Sequence, residues 1–180
     1  MEEIEVPVEQ AQEEIHHHAE HSGERWIGQV ALSSAVFAVL AAIAALLAGH
    51  HSNEAVIEEI RAAQQWNYFQ SKGIKADVLD SRIDMLGIVG KPVTDADRER
   101  QVKLKKDKDE IQEKARELEA SADEHLRVHH SLAQSVTFFQ VTIAIGAIAA
   151  LTRHRRYWFV SLATGVVGIG FLVKGLFFVH

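Results

Sequence analysis

The chain has 180 residues, 47% of them apolar and 24% charged, with a formal net charge of −6 and no cysteine. Disulfides, thiolate metal sites and cysteine nucleophiles are excluded, and no basic patch for nucleic acid is present. The apolar residues fall in three blocks with the charges between them, so the chain is amphiphilic by segment.

Residues 1–25 form an acidic, His-rich tail in which His16, His17, His18 and His21 follow Glu13 and Glu14. Such a run suits an amphipathic helix on a membrane surface or a weak metal-binding tract. Residues 26–49, WIGQVALSSAVFAVLAAIAALLAG, carry no charge. At ~1.5 Å per residue they reach across the ~30 Å hydrocarbon core of a bilayer. A cleavable signal peptide does not fit, because the apolar stretch is too long and the tail before it is acidic.

Residues 50–131 are polar and are broken once, at Gly90-Lys91-Pro92, so a turn is expected at 90–94. The two arms are nearly equal, each ~60 Å long if helical, which predicts an antiparallel coiled-coil hairpin. Thr94, with Asp95 and Asp97 behind it, is the expected N-cap of the second arm. That arm carries a seam at alternating steps of four and three: Leu104, Lys108, Ile111, Ala115, Leu118, Ala122, His125, His129 and Leu132. The spacing continues through Val136, Phe139 and Ile143, predicting one helix from the turn into the next span. The first arm is expected to answer with Val56, Ile60 and Ala63, then Phe69, Ala76, Leu79, Ile83 and Leu86. Trp66 and Tyr68 fall outside this seam and are expected to touch another subunit.

Residues 132–152 and 157–179 are the second and third predicted spans, with Lys174 near enough to an end to snorkel. Only Arg153, His154, Arg155 and Arg156 separate them. Short arginine-rich loops stay cytoplasmic, and Arg25 falls on the same side. Trp26, Tyr157 and Trp158 mark that interface. The expected topology is multi-pass, with the N-terminus cytoplasmic and the hairpin and C-terminus across the membrane. Small residues line span one at Ala35, Ala38, Ala42, Ala45 and Gly49, and span three at Ser161, Gly165, Gly168 and Gly175. Such faces let helices approach closely in lipid. The four in span three join Trp66 and Tyr68 as the candidate oligomer interface.

Eleven histidines are present, five of them at the hairpin roots: His50, His51, His125, His129 and His130. Antiparallel arms set His129 near Glu54 and His125 near Glu58. Two carboxylates facing two imidazoles form a candidate site for a divalent metal such as zinc, or a pH sensor. Imidazole also suits the headgroup layer, and polar seam residues set register without binding anything.

The strings EEIHHHAEHSGERWIGQVALSSAVFAVLAAIAALLAGHHSNEA and LTRHRRYWFVSLATGVVGIGFLVKGL resemble an uncharacterised bacterial membrane-protein family, the domain of unknown function numbered 4337. The resemblance covers the whole chain and implies a bacterial inner-membrane protein. It implies no activity, substrate or catalytic residue.

No Ser-His-Asp spacing, phosphate loop, dinucleotide fingerprint or HExxH occurs, so no enzyme is expected. No ionisable group lies mid-span, against proton-coupled transport by one protomer. The favoured reading is an all-α membrane protein acting as a homo-oligomeric scaffold or interaction module, its partners the lipid bilayer and other copies of itself. The alternative is a homo-oligomeric pore lined by Ser33, Ser34, Thr137, Gln140 and Thr142, gated at the root histidines by pH or metal.

Overall fold

The computed structural model describes residues 25–177 together with Glu13 and Ile15. His16, His17, His18 and His21, and the end of the third predicted span, lie outside the described residues. Among the described residues there are three helices and no strand: α1 (Arg25–Ile88), α2 (Asp95–Thr152) and α3 (Arg155–Phe177). All three are long and apolar enough to cross a membrane, judged by length and composition.

Local chemistry sets the helix ends. Gly90 adopts φ +67°, the left-handed conformation that costs glycine nothing. Its N–H donates to the Gly87 carbonyl and the Lys91 N–H to the Leu86 carbonyl, the paired bonds that close a helix C-terminus in a Schellman motif. Pro92 then bars continuation. At the start of α2, the Asp97 N–H donates to Thr94 Oγ1 at 3.2 Å, and the Thr94 hydroxyl donates to Asp97 Oδ2 at 2.7 Å. This reciprocal cap satisfies an orphan donor of the first turn. α2 ends at Thr152, and Arg153, with φ of 54°, turns the chain into α3.

The chain forms two units, one of Met1–Ser52 with Leu126–His180 and one of Asn53–His125. In the first, the span unit, α1 buries Ile27, Val30, Ser34, Phe37, Ala44 and Ala48. Ala42, Ala45 and Gly49, expected on its packing face, are exposed instead. The buried row steps by three, four or their sum of seven, as helix pairs require, and the exposed small residues lie off it. Phe37 and Phe139 meet at 5.7 Å, and Phe138 stacks on Phe171 at 5.4 Å. Ile15 is buried in the same apolar cluster as Trp26 and Ile27.

In the second, the two-arm unit, α2 buries Leu104, Ile111, Ala115 and Ala122, with Lys108, Leu118 and His125 half-buried between them. The first arm answers with Ala55, Glu58, Ala62, Gln65, Phe69 and Lys72, then Ala76, Leu79, Ile83 and Leu86, all buried or half-buried. Val56, Ile60 and Ala63 were expected in this row and are exposed. The row passes one residue to their side, because small Ala55 and Ala62 let the arms approach where Val and Ile would hold them apart. Antiparallel pairing is fixed by polar ties. Trp66 Nε1 donates to Glu119 Oε1 at 2.7 Å, Lys72 Nζ to Asp107 Oδ2 at 2.6 Å and Gln101 Nε2 to Asp80 Oδ1 at 2.7 Å.

The Lys72–Asp107 bond holds the lysine above its ordinary pKa of 10.5 and the carboxyl below its ordinary 3.8. A raised Lys pKa stabilises below 10.5 and is lost as the pH rises through the higher native value. A lowered Asp pKa stabilises above 3.8 and is lost as the pH falls through the lower native value. Asp107→Asn is therefore expected to lower the thermal midpoint modestly at neutral pH, as for an exposed pair. Circular dichroism melts should show wild type and variant converging once Asp107 is protonated.

Candidate functional site

The candidate residues fall on three parts of the chain, and the sequence explains where each goes. In the span unit, α3 presents its small residues inward. Ser161, Gly165, Gly168 and Gly175 are all buried. A Cβ on Gly165 would land in the ring of Phe37. On Gly168 it would meet Phe139 at 2.8 Å, and on Gly175 it would meet Leu132 Cδ2 at 2.8 Å. The Ser161 hydroxyl donates to the Thr142 carbonyl at 2.8 Å. These four positions, expected to pack both within and between protomers, meet α1 and α2 of their own chain. Large side chains on those helices need backbone-level room opposite them, and the small residues provide it.

The three helices come together around Gly146. A Cβ there would meet Ser34 Oγ of α1 at 2.9 Å and Ser161 Oγ of α3 at 3.6 Å. Sequence reasoning missed Phe37 and Gly146. The signal for Phe37 was its step of three from Ser34 in the row that starts at Ile27 and Val30.

The residues proposed as a pore lining do not share a face. Ser34 and Thr142 are buried, Ser33 and Gln140 half-buried and Thr137 exposed. Three of them also have hydroxyls engaged locally. Ser33 donates to the Val30 carbonyl at 2.9 Å, Thr137 to Ala133 at 3.0 Å and Thr142 to Phe138 at 2.8 Å. At one end of the span unit the Arg155 guanidinium lies 5.6 Å from the Trp26 ring, and Trp158 Nε1 donates to Ser33 Oγ at 3.3 Å.

His129 of the span unit is half-buried, with Nδ1 2.8 Å from the Ala48 carbonyl. A carbonyl only accepts, so Nδ1 is the donor in this contact. Its ring lies 5.6 Å from that of His130, and His50 and His51 are similarly placed at 5.5 Å. The other members of the predicted metal quartet, His125, Glu54 and Glu58, belong to the two-arm unit and are half-buried. Glu58 Oε2 is buried without a hydrogen-bond partner. Among the described residues, no three or more His, Asp or Glu side chains gather as a metal ion would require.

Of the two aromatics expected at a subunit contact, Trp66 bonds Glu119 within the two-arm unit and meets Phe69 edge-on at 5.6 Å. Tyr68 is exposed, with Lys72 Nζ 5.4 Å from its ring centre.

The described residues thus define an all-α chain with three helices fit to cross a membrane. The family model described as domain of unknown function (DUF4337) matches residues 26–178, and the chain belongs to that family. Comparison with curated proteins and with solved structures gave no match.

Gly165→Ala is expected to destabilise the span unit by about 1–3 kcal/mol, the usual cost of overpacking. Gly170→Ala, with nothing within 4 Å of the added methyl, should be neutral or slightly stabilising. Thermal unfolding of both variants in one detergent measures the contrast.

Proposed function

We propose that the protein is a homo-oligomeric scaffold in a bacterial inner membrane, anchored by three spans and projecting a coiled-coil rod as an interaction module. The observation that carries this reading is the seam of the two-arm unit. Both arms have buried or half-buried positions at alternating steps of three and four, from Ala55 to Leu86 and from Leu104 to Ala122. That spacing is the signature of two-helix packing, and such a rod offers faces for assembly.

The proposal includes no catalysis and requires no cofactor. The polar side chains of the spans support the scaffold over a pore, because Ser34, Thr142 and Ser161 are buried among their own helices. A central water-filled path needs such groups on one outward face.

We assign the loop at 153–154, with Arg153, Arg155, Arg156 and Arg25 around it, to the cytoplasmic side. Residues 50–131 then project into the periplasm. The cysteine-free chain gives a direct check. Lys105→Cys should react with a membrane-impermeant maleimide in intact spheroplasts, and Arg153→Cys only after lysis. The reverse pattern would invert the orientation.

The scaffold reading is tested by the mass of the protein in native nanodiscs. A single discrete oligomer is expected, and a clean monomer at membrane-like density would overturn it.

A further inference from the structure

The first arm is apolar on the side away from its own seam as well. Ile74, Val78, Met85 and Ile88 are between 64% and 85% exposed. With Ser81 they form a row at steps of four, three, four and three. The row lies two residues on from the seam positions Ala76, Leu79, Ile83 and Leu86, buried or half-buried, which is ~200° around a helix of 3.6 residues per turn. One helix therefore carries two heptad faces on opposite sides. The second arm closes one of them. Among residues 95–125 of that arm, Val102 alone is a large exposed hydrophobic, so an open apolar row is a property of the first arm rather than of the unit's whole surface.

The charges beside the open row specify what fits it. Val78 and Met85 occupy a positions, and Ile74, Ser81 and Ile88 occupy d positions. Lys75 and Arg82 then fall at e, and Asp77 and Asp84 at g, all four exposed. In a parallel, in-register pair, a g residue of one helix meets the e residue five places on in the other. Asp77 of each copy then faces Arg82 of the other. In an antiparallel pair like flanks meet, acid against acid and base against base, which opposes that arrangement. Arg82 makes a long contact of 3.7 Å with Asp97, its side chain 61% exposed, which leaves the guanidinium within reach of a second helix.

We propose that the outer face of the first arm, from Ile74 to Ile88, is where two copies of this chain pair in parallel and in register. The inference rests on the self-association reading above and names its contact face and orientation. Two heptads are short for a free coiled coil. Copies inserted the same way in one bilayer present these faces side by side, and that confinement supplies the effective concentration a short seam needs.

The test uses the full cysteine-free chain in native nanodiscs or vesicles. Val78→Cys and Met85→Cys, each alone and mildly oxidised, should both give disulfide-linked dimers. Equivalent core positions of a parallel pair bring the two Cα atoms within the roughly 4.4–6.8 Å a disulfide spans. Val102→Cys, on the second arm, should stay monomeric on a denaturing gel. Adding Asp77→Lys should cut the Val78→Cys dimer several-fold, and adding Arg82→Glu to that variant should restore it. Dimers from only one of the two seam positions indicate an antiparallel crossing and overturn the proposal. Equal cross-linking through Val102→Cys overturns it as collision. No dimer from either seam position, in a preparation whose native mass is a discrete oligomer, overturns this face while leaving self-association standing. No dimer in a preparation that is monomeric by mass removes both.

Discussion

A peptide group inside hydrocarbon has no water to bond, so each must find its partner within its own helix. The threonines of the span unit follow this rule down to their side chains, whereas the buried Ser135 hydroxyl has no partner. The hydroxyls of Thr137, Thr142, Thr152 and Thr164 each return to a carbonyl of their own helix, four residues back. Polar atoms that could have lined a path are spent on backbone. Helix association then depends on fit between surfaces, since lipid gives apolar side chains no reason to prefer each other. Phe37 against Gly165, Phe139 against Gly168 and Leu132 against Gly175 are that fit. A glycine on one helix makes room for a large side chain on another three times over.

Beyond the span unit the physical problem changes. Where water competes for polar groups, apolar burial drives the pairing of helices. The two-arm unit meets this with a seam that mixes alanines, which bring backbones close, with larger apolar residues such as Phe69, Leu79, Leu104 and Ile111. Polar groups occupy the remaining seam positions. Lys72 and Lys108 reach Asp107 and the ring of Phe69, respectively, and so are satisfied. Glu58 leaves one oxygen buried without a partner, a local cost set against the gain from its neighbours Ala55 and Ala62.

What was legible in the sequence followed the strength of each local signal. The stop at Gly90 and the cap at Thr94 depend on a few adjacent residues with fixed chemistry, and both read directly. The row on α2 read well because Leu104, Ile111 and Leu132 are large and strictly spaced. The base of the first arm did not read well. Val56 and Ile60 outweigh Ala55 and Ala62 on any hydropathy scale, so hydropathy pointed to the face that stays exposed. The Ser161–Gly175 stripe was visible, but a stripe of small residues does not say whose side chain fills it. The occupants, Phe37, Phe139 and Leu132, lie on other helices and far away in sequence. The His–Glu quartet was drawn from numbering across the turn, which fixes neighbours along an arm but not the convergence of side chains on a point.

The ties across the two-arm unit also have a mechanical meaning. Trp66–Glu119, Lys72–Asp107 and Asp80–Gln101 are spaced along the arms like rungs. A force along the arms loads all the rungs together. A force that prises the arms apart from the end near Asn53 meets them one at a time, Trp66–Glu119 first. The unit is accordingly stiff to shear and easy to peel.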